Sequence, residues 1–316
     1  MNSDDILKHG EFALASYADL SGTIDIATAL QQQGKGLSAA QAVRFVSLYS
    51  VVTQFNDTAA EGGMGTSFSA TVFKDASGKL TLAVRGTLEA GDFLPTDANI
   101  ALNGAGYDQV VAMANWWRRA SAPAGQMVQQ YAVVGYAPTA SIPPGNPLLY
   151  SGLGIIYFLE AAPNAAATGE IVSALAADSD NKVNVTGHSL GGHLSMAFNT
   201  LFPGTADQVA VFNAPGFADT TTNQQFFAML GGTVPTSANS ANVTNVIADE
   251  ATIGNAPWSA FAGKHSRPGA AVDIPIENQW LSDEPNPADP RNHSQMVLTD
   301  SLAVYNLLSQ LSPAPS

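Results

Sequence analysis

The chain of 316 residues contains no cysteine. Disulfides, thiol chemistry and cysteine-ligated metals are thereby excluded. Positive charge is scarce as well: 12 lysines and arginines stand against 26 acidic residues, a formal net charge of −14. There is no basic stripe for a nucleic acid to follow, so no nucleic-acid partner is expected; nor is charge attraction to an anionic bilayer, so contact with lipid would have to be apolar. Long apolar runs are missing. The longest, "LLYSGLGIIYFL" from Leu148 to Leu159, falls well short of the ~20 residues that span a bilayer, so no transmembrane segment is expected. The opening "MNSDDILKHGEF" lacks the basic and apolar regions of a Sec-type signal peptide. What the chain does have is length and 46% hydrophobic residues, enough for a substantial core. No long linker divides it, so a single domain over 1–316 is expected.

"LSAAQAVRFVSLYSVVTQF" opens with Ser38 and Gln41 in capping-box spacing and carries Val43, Val46, Tyr49 and Val52 near helical period, which predicts a core-facing helix. "SFSATVFK" puts Phe68, Ala70 and Val72 on one face of a strand; "DASGK" is a turn and "LTLAVRG" the partner strand. "GYDQVVAMANWWRRA" predicts a helix from about Tyr107 to Ala120. From Gly125 the pattern alternates. "QMVQQYAVVGY", "KVNVTGH", "QVAVFNAPG" and "NVTNVIADE" read as strands, and "TGEIVSALAADSD", "GGHLSMAFNTLF" and "TNQQFFAMLGG" as helices between them. Such alternation argues for an α/β fold: a mostly parallel central sheet, helices on both faces and an antiparallel edge hairpin.

In "VNVTGHSLGGHLSM", Val183 to Met196, a strand runs into Gly187-His188-Ser189-Leu190-Gly191 and then a helix. Gly-x-Ser-x-Gly alone is weak evidence, because a turn serine often bonds its own backbone. Between a strand and a helix it is what a nucleophile elbow requires. Glycines let the helix approach the strand closely, and the serine oxygen is presented beside a helix N-terminus that favours an oxyanion. Serine is a weak nucleophile and needs a base oriented by an acid, in the chain order Ser, acid, His on this fold. Asp249, directly after Val246-Ile247-Ala248, is the expected acid, with Glu250 the alternative. His293, in "DPRNHSQMVL" just before the last helix, is the expected base, and His265 in "AGKHSRPG" the alternative. His9 precedes the sheet, His188 is expected to pack beside the turn, and His193 to be a structural histidine.

Four stretches resemble the class 3 lipases, the filamentous-fungal triacylglycerol lipase family, and their bacterial calcium-dependent relatives. They are "LAVRGT" (Leu82 to Thr87), "GDFLPTDANI" with Asp92-Phe93 and Thr96-Asp97, the elbow "VTGHSLGG", and "VFNAPG" (Val211 to Gly216). Their order and spacing agree from Leu82 to His293. The resemblance implies an α/β-hydrolase whose oxyanion hole is formed by the backbone N–H groups of Thr87 and Leu190, with the Thr87 hydroxyl a third donor. It also implies that Arg85 and Asp97 brace the loop as an ion pair, against the competing reading of two surface charges. The family's His-Gly-acid-Trp run is missing after His265, and Trp280 arrives late. The calcium-dependent relatives hold their histidine loop with a structural calcium. Asp283, Glu284 and Asp289 in "WLSDEPNPADPRNH" are therefore calcium candidates, against the competing reading of a Pro-rich surface loop. No other cofactor is required.

Residues 132–161 are apolar and carry prolines and hinge-like glycines. They read either as a flap that opens at a lipid–water interface or, over Leu148 to Leu159, as a buried strand or helix. The function expected from all of this is a serine carboxylic ester hydrolase, a lipase cleaving acylglycerols. Phospholipase A1 and short-chain carboxylesterase are the alternative activities, and a non-catalytic lipid-binding relative is the alternative from another class. The partner is a lipid or ester substrate, met in transient contact with a lipid–water interface. Lack of cysteine, few lysines and high acidity resemble bacterial enzymes exported without a Sec signal, so secretion is expected, with the cytoplasm the alternative.

Overall fold

The computed structural model describes residues 1–22, 25–31, 36–57, 65–87, 103–137, 145–249, 267–276 and 293–311. The chain opens with α1 (Ser3–Ala15), α2 (Ile26–Leu30) and α3 (Ala39–Leu48), then β1 (Tyr49–Asn56), β2 (Ser69–Asp75) and β3 (Leu80–Val84). Helix α4 (Tyr107–Ser121) precedes β4 (Met127–Tyr136), β5 (Leu148–Gly152) and β6 (Ile155–Ala166). There follow α5 (Val172–Ala177), β7 (Val183–His188), α6 (Leu190–Leu201), β8 (Ala206–Phe212), α7 (Thr221–Met229), β9 (Val243–Asp249), β10 (Ala270–Pro275) and α8 (Gln295–Leu311).

The central sheet has seven strands in the order β1-β2-β3-β7-β8-β9-β10. β1, β2 and β3 pair antiparallel, and every pairing from β3–β7 onward is parallel. The α/β class read from the sequence is the one observed. Successive strand residues point to opposite faces. Leu82 and Val84 of β3, Val183 and Val185 of β7, and Val209 and Val211 of β8 share one core with α4 and α6. On the other face, Phe73 and Ala83 pack with residues of α1 and α3, and Ala210, Phe212, Val246 and Ala248 pack with Ile6 of α1 and with Leu298 and Leu302 of α8. Each large apolar side chain buried this way contributes roughly 1.5–3 kcal/mol.

Sequence reading placed no element on Ser3–Ala15, yet α1 determines how one end of the site is held. Its start is fixed by a capping box between Asn2 and Asp5. Phe12 then meets Phe45, Tyr49 and Phe73, with ring centroids 5.3, 4.6 and 5.3 Å away. The Arg44 guanidinium donates to the buried Glu11 carboxylate (Nη2 to Oε2, 2.6 Å). Close packing continues along α1, where a Cβ on Gly10 would lie 3.1 Å from Leu302 of α8.

Three readings need correction. The Ser38–Gln41 capping box is present, but the helix it starts ends at Leu48, and Tyr49 begins β1. Its buried face is Ala42 and Phe45, while Val43 and Val46 are exposed. The β-branched and aromatic run after Leu48 gains more by pairing with β2 than by continuing the helix. β4 is a strand, as read, but belongs outside the central sheet: β4, β6 and β5 form a separate three-stranded antiparallel sheet. β10 was not anticipated at all.

Candidate active site

The chain turns from β7 into α6 at one residue, Ser189, whose φ of +54° and ψ of −124° lie where side chains other than glycine rarely sit. Such a conformation costs about 1–3 kcal/mol and persists only where its surroundings over-determine it. Here the Ser189 N–H donates to the Phe212 carbonyl of β8 (2.8 Å), and its carbonyl accepts from the N–H groups of Gly192 (3.0 Å) and His193 (3.1 Å). A Cβ on Gly187 would lie 2.4 Å from the Gly191 carbonyl carbon, and one on Gly191 would lie 2.2 Å from the Val84 carbonyl oxygen. The glycines thus let α6 press its first turn against β7 and the end of β3, and the serine is pushed out at the C-terminal edge of the parallel strands. That is the elbow arrangement of the α/β-hydrolase fold.

His293 stands just before α8, and its Nε2 lies 2.8 Å from Ser189 Oγ. Helix α8 is anchored beneath it: the buried Gln295 amide donates to the Gly10 carbonyl of α1 (3.1 Å), and Leu298 and Leu302 are fully covered. Serine and histidine, 104 residues apart, are within hydrogen-bond reach across the sheet edge.

Asp249 closes β9, its backbone in register with Pro275 of β10. That puts it at the same sheet edge as Ser189, two strands away. The strand end is pinned by Asn213 (φ +46°), whose N–H donates to the Val246 carbonyl (2.9 Å) and whose side-chain oxygen accepts from the Ala248 N–H (3.0 Å). The Asp249 side chain lies outside what the structure describes, as do Glu250, His265, Asp92 and Asp97, and the calcium candidates Asp283, Glu284 and Asp289.

Thr87 follows β3 and is half-buried. The loop leading to it passes against α6, since the missing Gly191 Cβ would also meet Arg85 and Gly86 backbone at 2.8 and 2.9 Å. Leu190 opens α6, and a first-turn N–H has no intrahelical acceptor and sits at the positive end of the helix dipole. Arg85 donates to the Ser67 carbonyl (3.1 Å).

No family model matches the chain, and no curated protein matches it. Among solved structures it is similar to the Lip2 lipase of Yarrowia lipolytica: 14% sequence identity and a TM-score of 0.42, over 86% of this chain and 78% of that one.

Among the described residues, three further histidines are buried and none lies within hydrogen-bond reach of Ser189 Oγ as His293 does. His193 is fully buried, stacked on Phe217 at 3.8 Å, and ties two loops together: Gly106 N–H donates to its Nε2 (3.2 Å) and its Nδ1 lies 3.3 Å from the Pro215 carbonyl. His9 is buried in α1, and burial lowers its pKa from 6.5. His188, also buried, lies between Tyr17 and the backbone of His293, and burial holds its pKa well below 6.5, with the nearby His293 acting in the same direction. Tyr17, just past α1, was not anticipated at the site. Nothing local marks it, because its partner His188 is 171 residues away.

Proposed function

We propose that the chain is a serine hydrolase of carboxylic esters, with acylglycerols as its substrate class. The observation that carries this reading is the 2.8 Å approach of His293 Nε2 to Ser189 Oγ, at a helix N-terminus on the edge of a parallel sheet. In the proposed reaction the Ser189 oxygen attacks the ester carbonyl as His293 Nε2 takes its proton. The backbone N–H groups of Thr87 and Leu190 receive the negative charge that forms on the carbonyl oxygen; one such donor is worth about 3–4 kcal/mol when tested by removal. His293 then passes the proton to the departing alcohol, Asp249 orients the imidazole, and a water activated by His293 releases the acid from Ser189.

The substrate class is supported by surface chemistry. A net charge of −14 disfavours an anionic bilayer and leaves an uncharged lipid surface as the better fit. The segment from Ala132 to Leu159 holds no Asp, Glu, Lys, Arg or His, and the flap expected there belongs to this proposal. Its described part belongs to the sheet β4-β6-β5, whose β5–β6 turn exposes Leu153 and Ile155, with Leu148 exposed at the far end of β5.

The test is hydrolysis of p-nitrophenyl esters of graded acyl length by wild type, Ser189→Ala and His293→Ala. Both variants are expected to stay folded and to lose roughly 10⁴-fold or more in kcat. A wild type inactive on every ester contradicts the reading. An active His293→Ala beside a dead Ser189→Ala moves the base to His265. Replacing Leu153 and Ile155 with serine is expected to lower hydrolysis of an emulsified long-chain ester more than that of a dissolved short-chain one; equal reduction removes the flap from the account.

A further inference from the structure

His188, covalently next to Ser189, lies beside the imidazole of the proposed base, ring centroids 4.8 Å apart, and hydrogen-bonds its backbone. Its Nε2 lies 2.6 Å from the His293 carbonyl oxygen, and its Nδ1 lies 2.8 Å from the Tyr17 hydroxyl. A carbonyl oxygen only accepts, so Nε2 must carry the hydrogen and donate. A neutral imidazole has one N–H, so Nδ1 is then a lone pair and the Tyr17 hydroxyl donates to it. Burial keeps the ring in that uncharged form. The opposite tautomer would leave Nε2 and the His293 carbonyl as two acceptors facing each other at 2.6 Å, too close for a water to fit between them.

The same tyrosine is wedged against the strand that leads to Thr87. A Cβ on Gly86 would lie 2.3 Å from the Tyr17 hydroxyl and 2.6 Å from the His188 carbonyl oxygen. Helix α1, which delivers Tyr17, is in turn bonded to the sheet behind the elbow, where the buried Thr186 hydroxyl donates to the His9 carbonyl (3.1 Å). One side chain from the N-terminal helix therefore touches the residue before the nucleophile and the residue before the proposed oxyanion donor.

We infer that Tyr17 and His188 are positioning residues. Tyr17 fixes the Nε2–H tautomer of His188, and that N–H holds the His293 backbone so that its imidazole stays within reach of Ser189. This rests on the ester-hydrolase reading for its kinetic consequence and on hydrogen-bond chemistry alone for the tautomer. Misplacing a catalytic group by about 1 Å can cost on the order of 100-fold in rate without weakening substrate binding.

The experiment compares Tyr17→Phe, His188→Gln and His188→Met with wild type on a dissolved p-nitrophenyl ester, each variant's melting temperature being recorded. It is joined by nitrogen-15 spectra of the wild-type histidine side chains. Tyr17→Phe is expected to lower kcat about 5- to 20-fold with KM within about twofold. His188→Met should fall further, on the order of 100-fold, and His188→Gln should recover part of that loss because its amide can donate to the same carbonyl. The spectra should show His188 as the Nε2–H tautomer. A Tyr17→Phe kcat within twofold of wild type, equal loss in His188→Gln and His188→Met, or an Nδ1–H tautomer at His188 overturns the inference while leaving a Ser189-dependent esterase standing. If wild type hydrolyses no ester, the hydrolase reading fails, and the tautomer alone then decides whether Tyr17 and His188 hold the loop. Should a variant not fold, the wild-type tautomer again decides.

Discussion

At the elbow, a Cβ added to Gly187, Gly191 or Gly192 would lie 2.4, 2.2 or 2.6 Å from a neighbouring atom, whereas at the β5–β6 turn one added to Gly152 or Gly154 meets nothing within 4 Å. The elbow glycines are there for close approach: their φ angles are ordinary, and what they lack is room. Gly154 has room to spare and a φ of +76°, so its role is conformational. Between the two turn glycines sits Leu153, fully exposed and itself at φ +51°. The same residue type thus marks a place where three parts of the chain are forced together and another where the chain is bent outward with an apolar side chain at its tip. The first is a core requirement and the second is a surface feature, and substitutions should separate them sharply.

The largest effect is expected at Gly191. Its added Cβ would strike the backbone of β3 rather than a movable side chain, so Gly191→Ala should destabilise the fold by about 3 kcal/mol or more, read as a fall in the urea midpoint. A midpoint like that of wild type would show that α6 and β3 can separate and that the elbow is not over-determined. Acid should act on the same side of the molecule. His9 and His188 have pKa values lowered from 6.5 by burial, so below pH 6.5 the unfolded chain binds protons that the folded chain excludes. Stability from these groups is complete above pH 6.5 and falls as pH drops, at about 1.4 kcal/mol per pH unit for each histidine until its folded pKa is reached. Glu11 and Asp108, whose pKa values are raised by burial, contribute with the opposite sign, near the carboxylate range. Urea midpoints that do not change between pH 7.5 and 5.5 would contradict the assignment.

Smaller effects belong to the hairpin. Gly154→Ala keeps its space but must hold φ at +76°, which should cost about 1 kcal/mol. Leu153→Ser removes an exposed side chain and should leave the free energy of unfolding within about 0.5 kcal/mol of wild type. A large loss from Leu153→Ser would mean that the tip is packed against something and is no surface feature.

How much of this was legible in the sequence follows from how local each feature is. The strand–turn–helix around Ser189, the β2–β3 hairpin with its "DASGK" turn, and α4 are all written in contiguous patterns, and the structure has them where the patterns fall. The helix at Ser38 was legible at its start, through the capping box, but not at its buried face. Val43 and Val46 fit the helical period, yet tertiary packing selected Ala42 and Phe45, which fit it equally well. Of the sheet β4-β6-β5 only β4 was legible as a strand: the apolar run from Leu148 to Leu159 reads as one element, whereas the structure folds it at Gly152–Gly154 into β5 and β6, and pattern alone does not say which strands pair. Tyr17 was not legible at all. Its role is created by the docking of α1 on the sheet, a contact that leaves no local trace. That His293 stands before the last helix was readable; that its backbone is held by the neighbour of the nucleophile was not.

The central claim is that Ser189 is a nucleophile activated by its surroundings, and the most direct measurement is intact-mass analysis after treatment with a fluorophosphonate. The account predicts one adduct per chain, mapped by peptide sequencing to Ser189 and absent from folded Ser189→Ala. A wild type that takes up no reagent, or an adduct that persists in Ser189→Ala, would contradict it.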